Sequence, residues 1–326
     1  MTQLDWQLEA GRVLGSWRIV EPLGQGGMGE VYVAKHTLLP TSAAVKVLRS
    51  ERGDTDFADR FRTEAAALCL IDHPNVVRLY DANVTDDGLV WMAMEWLRGR
   101  DLSVILQEHG VLSIEDSLQI MADIAAGVHA AHKIGVVHRD LKPSNVFITD
   151  QHMVKVLDFG TVKPFQSASS ASETPLGRNR KTTAQNVIIG SAAFMSPEQV
   201  TGTPAIDERS DIFVLGVIGY LLLSGRQPFI GDEQMQPQML MVRAVINDEV
   251  PLSDLVPGCP AGICELIHGM LSKARDDRPD DMQAVRKRCS AERSSYLMQM
   301  DRPRAQLMSL FDRPELTVSD SVVSPL

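Results

Sequence analysis

"HRDLKPSNVFI", His138 to Ile148, followed by "LDFG", Leu157 to Gly160, decides how the rest of this chain reads. His138, Arg139, Asp140, Lys142 and Asn145 put five chemically useful side chains into eight positions. Asp158 comes thirteen residues past Asn145, directly after the apolar, strand-like "MVKVL". Carboxylates, cations and a carboxamide at this density, next to an apolar strand, belong to a site and not to a solvated loop.

Upstream lie two further elements in a consistent order. "LGQGGMGEVY" sits between two alternating segments, and Gly24, Gly26 and Gly29 form G-x-G-x-x-G, with Val31 completing the longer G-x-G-x-x-G-x-V. The same glycines before a helix would suggest a dinucleotide site. Here Glu30–Ala34 alternates as a strand does, which favours a hairpin folded over a triphosphate, its backbone N–H groups close to the phosphates. "AAVKVL" then places Lys46 in a run buried on both sides, where a lysine requires an anionic partner. Glu64, on a helix read over "DFADRFRTEAAALCLI" (56–71), is the natural one.

Composition sets outer limits. The 326 residues suffice for two lobes, each with a core, and 44% apolar with 23% charged residues is ordinary for a soluble protein. A net charge of -10 speaks against nucleic acid or an anionic membrane surface as partner. Cys69, Cys259, Cys264 and Cys289 make no C-x-x-C pair, so reduced structural thiols are expected. The acidic start "MTQLDWQLEAGRVLG" is no signal peptide, and "IFVLGVIGYLLL" (212–223) is too short to span a bilayer. These features set a cytoplasmic expectation.

Periodicity divides the chain in two. From Trp17 to about Glu95 it reads as antiparallel strands with one helix; beyond Gly99 it reads as helices. "SIEDSLQIMADIAAGVHAAHKIG" opens on the N-cap Ser113, with Asp116 imitating a capping box, and closes at Gly135. Further helices are expected around 212–223, 236–247, 261–271 and 282–289, with a polar loop over 166–186. The expected layout is an extension over 1–16, a domain over 17–290, and a largely disordered polar tail over 291–326.

With these motifs in this order, the chain resembles a eukaryotic-type (Hanks-type) protein Ser/Thr kinase. The wording of "GGMGEVY", "HPNVV" and "MSPEQ" is most similar to bacterial members. The resemblance implies an α+β, two-lobed fold: a small antiparallel-sheet lobe (about 17–95), a larger helical lobe (about 99–290), and an activation segment over 158–198. It implies ATP with Mg²⁺, Mn²⁺ being an acceptable substitute. Lys46 would hold the α- and β-phosphates and pair with Glu64; Asp140 would be the base; Lys142 would neutralise the γ-phosphate; Asn145 and Asp158 would bind the metal. Leu23, Gly24, Gln25, Gly26, Gly27, Met28 and Gly29 would cover the nucleotide. Val31, Ala44 and Phe147 would sandwich adenine, Met94 would border it, and the backbone of Glu95 and Leu97 would meet it. Asp101 falls where a ribose or peptide contact is expected, and a helix N-cap explains it equally well. Leu68, Leu79, His138 and Phe159 match the stack that aligns the lobes. Asp211 resembles the residue that anchors the catalytic loop, and Glu198 with Arg278 resembles the ion pair holding the activation segment.

The resemblance also places "GRNRKTTAQN" (177–186) in the activation loop. Arg139, beside the base, calls for an anion, and a phosphothreonine at Thr183, with Thr182 as second choice, would supply it. Lys142 and "GSAAFMSPE" fit Ser/Thr acceptors in protein substrates, with Ser191 where the family usually has Thr. Autophosphorylation of the loop, aided by self-association through the small lobes, is the expected activation route. A pseudokinase scaffold and a small-molecule phosphotransferase are the competing readings. Lys46, Glu64, Asp140, Asn145 and Asp158 together weigh against the first, and the intact "SAAFMSPEQ" against the second.

Overall fold

Alternation in the first third of the chain becomes an antiparallel sheet whose two faces bury different side chains. In the computed structural model its strands are β1 (Val13–Leu14), β2 (Trp17–Gly26), β3 (Gly29–His36), β4 (Ser42–Leu48), β5 (Leu79–Val84) and β6 (Val90–Glu95), in the spatial order β1-β2-β3-β4-β6-β5. The structure describes residues 8–26, 29–48, 61, 65–66, 68–159, 193–203, 206–229, 245 and 248–300. One face packs Tyr32, Ala34, Val45, Val47, Trp91 and Ala93 with Trp17 and Ile19. The other packs Val31, Ala44, Leu48, Val90, Met92 and Met94 against Phe61 and Ala65. Lys46 lies between Ala44 and Leu48 in the alternation, so the pleat delivers it to this second face. Gly29, opposite Leu48, admits no side chain: a Cβ there would stand 1.9 Å from the Val47 carbonyl oxygen. That glycine lets β3 and β4 pair at the mouth of the glycine-rich turn.

A second sheet, β7 (Gly99–Asp101), β8 (Val146–Thr149) and β9 (Val154–Val156), begins the larger lobe. Around it lie α1 (Leu102–His109), α2 (Ile114–His132), α3 (Pro197–Thr201), α4 (Glu208–Ser224), α5 (Leu252–Leu255), α6 (Ala261–Met270) and α7 (Met282–Gln299). Ser113 caps α2 as its position demands: its Oγ accepts from the Asp116 N–H at 3.0 Å and donates to the Asp116 carboxylate at 2.7 Å. α4 is buried nearly all round, with Ile212, Phe213, Leu215, Val217, Ile218 and Tyr220 at most 1% exposed. That placement explains its uninterrupted apolar run. No described helix is long and apolar enough to cross a membrane.

The two lobes are joined through "HPNVV". The Asn75 carboxamide donates to the Val154 carbonyl at 2.9 Å, and main-chain bonds link Asn75 and Val77 to Val156. α2 meets this loop at Gly127, where a Cβ would come within 2.6 Å of the Asn75 carbonyl oxygen. The helix expected over 282–289 runs further: α7 continues through Gln299 and packs along α2. Its apolar spacing ends at Cys289, but Arg293 reaches Glu115 on α2 at 2.7 Å and extends the contact by charge.

Candidate active site

Lys46 and Asp158 meet where the two lobes face each other. The ammonium stands 2.5 Å from Asp158 Oδ2, with the lysine side chain 5% and the aspartate 16% exposed. A lysine this buried needs an anion, and here it finds one 112 positions along the chain. Glu64, the partner expected from the sequence, lies outside the described residues, as do Gly27, Met28, Thr182, Thr183 and Ser191.

Asp140 is held by its neighbours in the chain. Its Oδ2 accepts from Lys142 Nζ at 3.2 Å and from the Asn145 carboxamide at 3.5 Å, while that carboxamide also donates to the Asp140 carbonyl at 2.7 Å. The loop carrying it is held from below by Asp211, at the first turn of α4. Asp211 accepts from the backbone N–H groups of His138 (2.8 Å) and Arg139 (3.0 Å) and pairs with His132 at 2.8 Å. Burial raises the Asp211 carboxyl, but the His132 hydrogen bond and nearby charges outweigh it, so its pKa lies below the usual carboxylate range. These bonds hold Arg139 at φ +62°; Asp158 is likewise positive, at φ +47°. Such conformations cost about 1–3 kcal/mol each and persist only when the surroundings over-determine them.

His138 is fully buried, and burial holds its pKa below the ordinary value. As a neutral ring it donates from Nε2 to the Leu157 carbonyl (2.8 Å), and Nδ1 accepts from the Asp140 N–H (3.3 Å). Its ring lies 4.6 Å from that of Phe159. His138 therefore links the loop bearing Asp140 to the segment bearing Asp158.

Comparison with known proteins gives this geometry a family. The model of the protein kinase domain matches residues 17–289. The chain belongs to the protein kinase family. It is 33% identical over 260 residues to the serine/threonine-protein kinase PknB of Mycobacterium leprae, covering 78% of this chain and 39% of that protein. It is 32% identical over 273 residues to the probable serine/threonine-protein kinase PknB of Bifidobacterium longum, covering 81% and 38%. The chain thus spans about two fifths of the length of these relatives. The Mycobacterium tuberculosis PknI kinase domain superposes with a TM-score of 0.65 at 24% identity, over 88% of this chain and 99% of that one, a likeness of fold. The α+β, two-lobed architecture expected from the sequence is the one observed.

Within this kinase fold, the apolar residues assigned to adenine fall into two groups. Val31, Ala44 and Met94 share a cluster with Leu23 in the small lobe; Leu97 and Phe147 share one with Leu157 in the large lobe. Gly24 and Gln25 pair with Val31 and Glu30 across the hairpin, and Gly26 pairs with Gly29. Asp101 is 3% exposed, and its Oδ1 caps α1 by accepting from the N–H groups of Ser103 and Val104. Of the two readings open for Asp101, the N-cap is the one with bonds to support it. Leu68, Leu79 and Phe159 line a cavity of about 30 Å³ reaching Asp158 and Met94.

The ion pair expected between Glu198 and Arg278 forms as a bidentate clasp, 2.8 and 3.0 Å, with Arg278 fully buried. Burial pushes the Glu198 carboxyl up, and the bonds from Arg278 and Ser210 more than reverse it. Arg278 also donates to the carbonyls of Ser272, Lys273 and Arg209, so its guanidinium is well satisfied.

Sequence reasoning missed two links. Lys155, on β9, pairs with Glu95 at 2.8 Å and so ties the segment joining the lobes to the strand that precedes Asp158. Gln199, in "MSPEQ", donates to the Arg139 carbonyl at 2.8 Å. Neither pair is spaced to be found from periodicity, since 60 positions separate the partners in each.

The oxygen donors suit the cofactor that the family implies. Mg²⁺ is held in kinases by one or two protein oxygens plus phosphate oxygens, with no dedicated protein cage. Asn145 and Asp158 offer that hard, sparse set, and no described cluster of three or more His, Cys, Asp or Glu competes with it. Lys46 would meet the same phosphates.

Proposed function

We propose that this chain is an ATP- and Mg²⁺-dependent protein serine/threonine kinase that phosphorylates Ser and Thr hydroxyls of proteins, its own activation loop among them. The observation carrying this reading is the arrangement of Asp140. It is gripped by Lys142 and Asn145 on a loop that Asp211 holds in a strained conformation, and Asn145 accepts a main-chain bond from Leu157, next to Asp158.

MgATP, when bound, supplies the phosphoryl group and the neutralising charge of the metal. Asp140 orients the acceptor hydroxyl and takes its proton at Oδ. Lys142, already on Asp140, would neutralise the transferred group's negative charge. Lys46, now paired with Asp158, would meet the phosphate oxygens, and Asp158 would hold the metal. Asn145 would share in holding the metal. Val31, Ala44 and Phe147, all buried, would sandwich adenine, with Met94 bordering it and the Leu97 backbone meeting it. Phosphoryl transfer needs positioning and charge neutralisation more than covalent chemistry, and these residues supply both.

The Ser/Thr class is supported by Lys142 two positions after Asp140 and by the names of the bacterial relatives. Activation would proceed through Thr183 or Thr182, with Arg139 receiving the phosphate and two small lobes associating for the transfer; Mn²⁺ would substitute for Mg²⁺. Turnover of MgATP with a generic Ser/Thr protein substrate, in wild type and Asp140→Asn, tests the reading. Activity in wild type alone supports it; equal rates in both would overturn the role of Asp140.

A further inference from the structure

We infer that Gln199 is a positioning residue that makes the placement of Asp140 depend on the docking of α3, the helix that ends the activation segment. The inference rests on the kinase reading above and adds a residue that the shared motif roles leave without a task.

Arg139 is a non-glycine residue at φ +62°, and its carbonyl belongs to the peptide bond leading into Asp140. The conformation requires hold on both sides of the residue. On the N–H side, the Arg139 amide donates to Asp211 Oδ1 at 3.0 Å, from within the large-lobe core. On the carbonyl side, the oxygen accepts from Gln199 Nε2 at 2.8 Å. The two restraints come from different places. Asp211 is fixed by α4, whereas Gln199 sits on α3, and its position depends on where the activation segment ends.

The carboxamide of Gln199 is itself oriented. Its Oε1 accepts from the Ser196 N–H at 3.0 Å and from Ser196 Oγ at 3.2 Å, completing the capping box of α3, while Ser196 Oγ accepts from the Gln199 N–H at 3.4 Å. With the oxygen committed to Ser196, the amide nitrogen has one direction left, and it faces Arg139. One neighbour of the box, Glu198, is locked by Arg278 and Ser210. α3 is thus rigidly seated, and Gln199 transmits that seat to the Arg139–Asp140 peptide. If α3 lifts, the Arg139 carbonyl loses the Gln199 donor, and the peptide leading into Asp140 is then held at Arg139 by the Asp211 bond without this one.

The residue permits a clean test because its two ends do different things. Gln199→Glu keeps an oxygen for the Ser196 N–H and turns an acceptor toward the Arg139 carbonyl, so the cap survives and the clamp does not. Ser196→Ala does the reverse: it removes the cap hydroxyl and leaves the Gln199 amide in place. Steady-state kinetics of the full chain with MgATP and a protein substrate, alongside thermal melts, separates the two. The expected result is a kcat about fivefold lower in Gln199→Glu, with KM for ATP changed by less than about twofold and an unchanged melting temperature. Ser196→Ala, which keeps the backbone N–H on Gln199 Oε1, should melt earlier with a smaller loss of kcat than Gln199→Glu. Wild-type kcat in Gln199→Glu, or an equal loss of kcat in both variants, would overturn the positioning role while leaving the kinase reading intact. Absence of turnover in wild type, matched by Asp140→Asn, would overturn the kinase reading and this inference with it.

Discussion

The large lobe and the small lobe hold their parts of the site by different means. In the large lobe, Asp140 and its neighbours are fixed by buried polar bonds: Asp211 to two backbone amides and His132, His138 to the Leu157 carbonyl, and Glu198 to Arg278. In the small lobe, Lys46 and the glycine-rich turn are placed by strand register and apolar packing, and the described polar tie across the cleft at Lys46 is the one to Asp158. Register fixes which face a side chain occupies but leaves a sheet free to move as a body. Buried polar networks fix individual atoms, because a broken member is left unsatisfied. Asp140 is therefore held in place, whereas Lys46 can travel with its sheet.

The most severe way to break this contrast is at the buried clasp. Arg278→Leu would leave Glu198 charged and unpaired in the core, and should cost about 3–5 kcal/mol in denaturant unfolding. A loss below about 1 kcal/mol would mean that the large lobe is not held as argued. Lys46→Met is the small-lobe counterpart. It should lower kcat/KM by about a hundredfold or more, on the scale of a lost electrostatic contact to the transferred group, with little change in unfolding. A melted protein would place Lys46 in the large-lobe category instead.

Acid sharpens the comparison without mutation. His138 and His73 have pKa values lowered mainly by burial, so the unfolded chain takes up protons first as pH falls through about 6.5. Asp211 and Glu198 are depressed below the ordinary carboxylate values, so their stabilisation is full above those values and is lost as pH drops beneath them. Unfolding free energy should therefore decline in two steps, one beginning near pH 6.5 and a steeper one below about 4.5. A flat profile down to about pH 4.5 would contradict a neutral, buried His138. The smallest effect is expected at the link between lobes. Lys155→Met should cost about 1 kcal/mol or less, since Glu95 is partly exposed, and should act mainly on KM for ATP.

Much of this was legible before any coordinates, and what was legible follows a pattern. Residues close in sequence, such as Asp140, Lys142 and Asn145, carry their geometry in their spacing. The run "AAVKVL" marked Lys46 as a buried lysine in need of an anion, but spacing could not name Asp158, which lies 112 positions away. Asp211 and the Glu198–Arg278 pair came only from resemblance, since 73 and 80 positions separate them from their partners. Lys155–Glu95 and Gln199–Arg139 came from neither, for each joins a charged or polar residue that looks like ordinary surface. The last turns of α7 were missed because its apolar spacing of Met282, Val285 and Cys289 stops there, and the continuation is held by Arg293 on Glu115. Charge pairing across helices leaves no periodic mark.

The central claim is that Asp140, fixed by the large lobe, is the base of a protein Ser/Thr kinase that acts on its own activation loop. Phosphosite mapping by mass spectrometry, after wild type and Asp140→Asn are incubated with MgATP, tests it most directly. Phosphate on Thr183 or Thr182 in wild type and absent from the variant is the predicted result. Equal phosphorylation of the two proteins, or none in either, would contradict it.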